Sequence, residues 1–163
     1  MKTSGIILTV VLIVLIFIQF FHPAKNISTV KSPTDIAVLH KVPVNVRTIL
    51  DKACNDCHSN NTRYPWYNNI QPVAWWLDNH VQEGKAELNF NEFATYSLRK
   101  QYHKLEEVTE QVKEGEMPLG SYTLVHTNAK LTEQEKEKLI NWANSIRSEM
   151  KAKYPKDSLV RKR

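Results

Sequence analysis

Residues 46–58 read Val46-Arg47-Thr48-Ile49-Leu50-Asp51-Lys52-Ala53-Cys54-Asn55-Asp56-Cys57-His58. Val46, Ile49, Leu50 and Ala53 recur at helical spacing, and Pro43 just ahead of them suits the first turn of a helix. The helix therefore delivers two cysteines and a histidine at its end. From Ser59 to Asn69 the text changes to turn formers mixed with aromatics, which predicts an ordered loop. Pro72 opens a second helix to about Glu83, with Val73, Trp76, Leu77 and His80 along one side and Gly84 as its stop. A third spans Ser97 to Glu114, with Leu98, Tyr102, Leu105, Val108 and Val112 as its apolar stripe; Gly115 and Pro118 break it. The last begins at Thr132, which forms a capping-box pattern with Glu135 and is followed by the buried face Leu139, Trp142, Ala143, Ile146. No stretch alternates well enough to be a strand. The expected domain is all-α, with about four helices.

Two cysteines one helical turn apart cannot staple distant parts of a chain, and they are the only two present. Cys54-Asn55-Asp56-Cys57-His58 has the C-x-x-C-H spacing of covalent c-type haem attachment. The thiols can add to the two vinyl groups along one edge of a porphyrin, and the next side chain then reaches the iron as its proximal ligand. A thioredoxin-like pair would follow a strand, and a zinc site would need further ligands. Four short helices enclose little apolar volume, and a buried flat cofactor would supply interior.

Met117 lies between Gly115 and Pro118 in a break between helices, and is the candidate second ligand to the iron. Thioether ligation raises the reduction potential and suits electron transfer. The histidines compete for that place: His126 foremost, with His80 and His103 on predicted helices and His40 ahead of the domain. Arg63 is a candidate partner for a haem propionate. Trp66 is a candidate pocket residue, as are Tyr64, Tyr67, Trp75 and Trp76. The proximal imidazole should donate its other N–H to a backbone carbonyl, just before Pro65 or around Pro72.

The chain resembles the small bacterial haem-binding domain proteins that carry one C-x-x-C-H. The matching text is CNDCHSNNTRYPWYNNIQPVAWWL from Cys54, NFNEFATYSLRKQYHKLEE from Asn89, VKEGEMPLGSYTLVH from Val112 and LTEQEKEKLINWA from Leu131. It covers roughly residues 43–147. The resemblance implies one haem, covalent at Cys54 and Cys57 and ligated through His58, in a helical domain. The order of parts also looks, more distantly, like a class I cytochrome c, which by analogy makes Met117 the distal iron ligand. The aromatic-rich loop after His58 departs from that pattern.

Residues outside the domain carry their own expectations. The apolar run Gly5–Phe21 is 17 residues long. It ends in a poor cleavage site, so residues 1–22 are expected to form an uncleaved transmembrane signal-anchor. Residues 23–42 then read as a linker, 43–150 as the haem domain and 151–163 as a basic, disordered tail. The net charge of +5 sits mostly in that tail; the folded part is near neutral and has no nucleic-acid footprint. Together these features predict a single-pass inner-membrane protein with its haem domain facing the periplasm. It would exchange single electrons with redox partner proteins at or near the membrane, as a carrier rather than an enzyme. A haem-based sensor or small peroxidase-like enzyme, with an open or labile sixth position, is the alternative.

Overall fold

The computed structural model describes residues 3–160. Among them are nine α-helices and no strand. The helices are α1 (Thr3–Ile18), α2 (Ile36–Leu39), α3 (Val44–Ala53), α4 (Asn55–His58), α5 (Val73–Glu87), α6 (Leu98–Glu114), α7 (Gly120–Val125), α8 (Glu133–Lys153) and α9 (Lys156–Leu159). Short 3-10 turns cover Trp66–Asn69, Phe90–Thr95 and Thr127–Ala129.

The core forms where the apolar stripes of α3, α6 and α8 meet. Val46, Ile49 and Leu50 face Leu105 and Val112 of α6 and Leu139, Trp142 and Ile146 of α8, with Phe93 between elements. Each stripe follows the i, i+3, i+4 spacing visible in the sequence. The start of α8 is fixed as its capping box predicts. The Glu135 amide donates to Thr132 Oγ1 at 3.3 Å, and the Thr132 amide donates to the Glu135 carboxylate at 2.9 Å. The same carboxylate group pairs with Lys52 at 2.6 Å, which ties the start of α8 to α3.

The transmembrane anchor is not found. Among the described residues, no helix is long and apolar enough to cross a membrane. α1 has 16 residues, about 24 Å at 1.5 Å per residue, short of the ~30 Å hydrocarbon layer. The apolar run overstated the helix because its last residues leave it. Gln19, Phe20 and Phe21 close tighter i to i−3 bonds, and Gln19 turns to the domain, accepting from the Gln71 amide at 2.9 Å. Gln71 in turn donates from its side chain to the Phe21 carbonyl at 2.6 Å. The expected single-pass inner-membrane location, with a periplasm-facing domain, falls with the same finding. Met1 and Lys2, the start of the expected anchor, lie outside the described residues.

The expected linker is a strap bound along the domain. Ile27 bridges Asn61, and Asn26 donates to the Ser59 carbonyl and Thr62 hydroxyl while accepting from Lys85. Thr34 donates from its hydroxyl to the Asn91 carbonyl at 2.9 Å, and Ile36 is only 3% exposed. Short polar side chains that made the segment look unstructured supply these bonds. His40 ends α2 edge-on to Phe93, far from a ligand's place; burial lowers its pKa, with Glu149 opposing and Lys153 reinforcing.

The expected disordered tail is likewise folded as far as Val160. α8 continues to Lys153, α9 packs beside α6, and Leu159 is buried. Arg99 donates to the Asp157 carbonyl at 2.9 Å. Leu159 is the apolar contact that a reading by charge passed over; Arg161, Lys162 and Arg163 lie outside the described residues.

Replacing Ile36 by Ala should cost about 2–5 kcal/mol in urea unfolding, the range for a buried Ile truncated in a packed core. A tether would lose nothing, so an unchanged midpoint would overturn the strap.

Candidate functional site

The site starts at the junction of α3 and α4. Cys54 caps the end of α3 through its amide to the Leu50 carbonyl, and its own carbonyl then accepts from the amides of Cys57 (3.1 Å) and His58 (2.9 Å). One turn of helix thus sets both sulfurs and the imidazole. The Ser59 hydroxyl closes the turn on the Asn55 carbonyl at 2.6 Å.

Asp56, between the cysteines, is buried and anchors the turn from below. Its carboxylate accepts from the Arg63 amide (3.1 Å), from Arg63 Nε (3.0 Å) and from the Tyr122 hydroxyl (2.7 Å). From above, α5 lies directly on α4 at Gly84. A Cβ there would stand 2.8 Å from the Cys57 carbonyl oxygen and 2.9 Å from the Cys57 Cβ. Gly84 is therefore not the helix stop its type suggested. The helix runs on to Glu87, and the absent side chain admits the neighbouring turn.

That extension places the Leu88 carbonyl 2.9 Å from His58 Nδ1. A carbonyl can only accept, so Nδ1 carries the proton and Nε2 keeps its lone pair. The ring also meets Phe90 edge-on, with centroids 6.5 Å apart. Burial lowers the His58 pKa, against the backbone bonds to Leu88 and Gly84, so the imidazole is kept neutral as a metal ligand must be. The carbonyl comes from the end of α5, not from the segments before Pro65 or around Pro72.

Burial pushes the Cys54 thiol up to about 12, with Cys57 and Asp51 adding to it, and the Cys57 thiol up to about 11, with Asp56 adding. Both are free thiols. Reactive thiolates of the thioredoxin kind depend on the opposite shift. Among the described residues, no group of three or more His, Cys, Asp or Glu could hold a metal ion by itself, which a zinc centre would require.

Two adjoining cavities share Cys54, His58 and Met117 as walls. One, of about 330 Å³, continues past Cys57, Gly84 and Tyr122; the other, of about 460 Å³, past Phe90, Val108 and Leu139. Met117 is brought there by the end of α6. Gly115 takes φ 80, a left-handed conformation natural to glycine, and the amides of Gly115, Glu116 and Met117 all turn back onto the Gln111 carbonyl. Lys104 sits on the rim between Glu87 (2.8 Å) and Glu107 (2.6 Å).

A family model described as a haem-binding domain matches residues 13–145. The chain belongs to the haem-binding domain family. The match takes in the strap and the second half of α1 as well as the helices expected from the sequence. No curated protein and no solved structure matches the chain. The residues of this haem-binding domain fit such a group. Its paired cavities combine apolar walls with a rim of charged side chains, the imidazole is oriented and neutral, and two thiols stand beside it.

Other expected site residues lie elsewhere. Arg63 is engaged by Asp56 and by the Asp51 carbonyl and borders neither shared cavity. Trp66 is 76% exposed and borders neither shared cavity. His103 pairs with Glu106 and Glu107 on the rim. His80 borders the smaller cavity, its Nδ1 donating to the Trp76 carbonyl at 2.9 Å. His126 joins Tyr67 and Tyr122 on the far side of Cys57. Asp56, Leu88 and Tyr122 were not singled out from the sequence, and Gly84 was read there only as a helix stop.

Gly84→Ala should destabilise the fold by about 1–3 kcal/mol, the cost of overpacking. In an unobstructed helix interior the same change would stabilise by about 1 kcal/mol. The sign of the shift in a denaturant titration checks the close contact.

Proposed function

We propose that this haem-binding domain is a c-type cytochrome, holding one haem covalently and passing single electrons between redox partner proteins. What carries the reading is His58, its Nδ1 fixed on the Leu88 carbonyl, in a cleft shared with Cys54 and Met117. Haem supplies an iron that alternates between ferric and ferrous, taking up and releasing one electron.

The chain does the rest. Cys54 and Cys57 would hold the haem by adding S–H across its vinyl C=C bonds, sulfur to one carbon and hydrogen to the other, so attachment would consume no other reagent. Thiols held protonated by burial survive until that addition. His58 offers Nε2 to the iron, and the Leu88 carbonyl prevents its ring from turning. Met117 would supply a second ligand, held in place by the Gln111 carbonyl turn. With both ligands carried on packed elements, little would need to move when charge changes. Phe90, Val108 and Leu139 give the cleft an apolar wall, which would favour the less charged state of a bound metal group.

The test is expression of the full chain with a cytochrome maturation system. Haem should stay with the polypeptide on a denaturing gel, and Cys54→Ser with Cys57→Ser should abolish the stain. The ferric protein should be low-spin and show the weak long-wavelength band of sulfur ligation, which Met117→Ala removes. A spectrum unchanged by Met117→Ala would take Met117 off the iron. High-spin iron that binds CO readily would replace the carrier by a sensor or peroxidase-like protein.

A further inference from the structure

The aromatic loop after His58 and the histidine at 126 take no part in the cleft between His58 and Met117. They meet instead around a third cavity of about 410 Å³ on the other side of Cys57. Its walls include Tyr67, Trp76, Leu77, Tyr122 and His126, and Cys57 stands where it adjoins the haem cleft. An apolar hollow of this size with a few converging polar atoms is the usual form of a small-molecule site.

The polar atoms are placed with care. The Tyr67 hydroxyl and His126 Nε2 lie 2.7 Å apart. The His126 ring lies almost flat on Tyr122, with centroids 4.4 Å apart and planes 19° apart. Tyr122 is held in turn by its hydrogen bond to Asp56, inside the C-x-x-C turn. The hydroxyl–imidazole pair can both donate to and accept from a ligand oxygen. The charged groups on the wall, Arg63 and Asp56, pair with each other at 3.0 Å, so together they bring no net charge to it. Aromatic faces favour a planar guest. The mouth is apolar: Leu124 is 81% exposed, and Val125 and Trp76 are also exposed.

We propose that this cavity binds a neutral planar ring bearing hydroxyl or carbonyl oxygen, of the hydroquinone and quinone class. The ring stacks among Tyr122, His126 and Trp76, and its oxygen meets the Tyr67–His126 pair. The redox character of the ligand rests on the haem reading, since the site adjoins Cys57; the binding itself does not.

The experiment is calorimetric titration of the full-length, haem-loaded chain with naphthalene-diol kept reduced under argon, and with naphthalene. The diol should bind saturably at one site, at least tenfold more tightly than naphthalene. Tyr67→Phe with His126→Phe should weaken the diol by about tenfold, as loss of two hydrogen bonds implies, and leave naphthalene unchanged. Tyr67→Phe alone, at a half-buried ring, preserves packing and should give a smaller loss in the same direction. Equal binding of the two compounds, no saturable binding, or variants that bind the diol as the wild type does would each overturn the proposal. If the purified chain carried no haem, the cytochrome reading would fail, and the titration would still read the cavity directly.

Discussion

The contact of Gly84 with Cys57 is the constraint on which the rest of the site depends. A helix and a one-turn helix cannot approach this closely with even a methyl group between them. Because they do, the C-terminal end of α5 arrives beside His58, and the carbonyl of Leu88, just past the helix, becomes the imidazole's partner. The ring orientation, the tautomer and the exposed Nε2 all follow from that approach. Separating the two helices by an ångström would leave Nδ1 without a partner in a buried place, at a cost of about 1–3 kcal/mol.

A second set of bonds holds the same turn from the opposite side. Asp56 gathers Arg63, Tyr122 and the loop after His58, and Thr62 donates to the Asp56 carbonyl at 2.6 Å. The strap joins there through Asn26, whose carbonyl accepts from the Thr62 amide. Few of these bonds link sequence neighbours, so the cysteine turn is set by contacts gathered from residues 26, 63, 84, 88 and 122. A covalent group attached to such a turn inherits its rigidity. Burial of the thiols and the imidazole acts in the same direction, since each is kept in its uncharged form until a partner binds.

The helices of the domain were legible because their signals are local. The stripe of α6, the Ser97 start and Gly115 end, and the Thr132–Glu135 box each involve residues three or four apart. The segments misread were those whose meaning depends on distant partners. Residues 26–36 look like a linker until Asn61 and Asn91 are beside them. Residues 151–159 look like a solvated tail until Leu159 meets α6. The apolar run at the start looked long enough for a bilayer because composition does not show where a helix stops, and Gln19 stops it by bonding to Gln71.

The sequence by itself determined the helical class, the order of the four main helices of the domain, and the spacing of Cys54, Cys57 and His58, since all three follow from spacing along the chain. The tertiary structure decided which nitrogen of His58 is free, that Met117 shares its cleft, and that Arg63 and Trp66 do not. Those outcomes depend on which groups meet across long separations. Hydrogen-bond partners and close contacts there are chosen by packing, for which one-dimensional spacing holds no record.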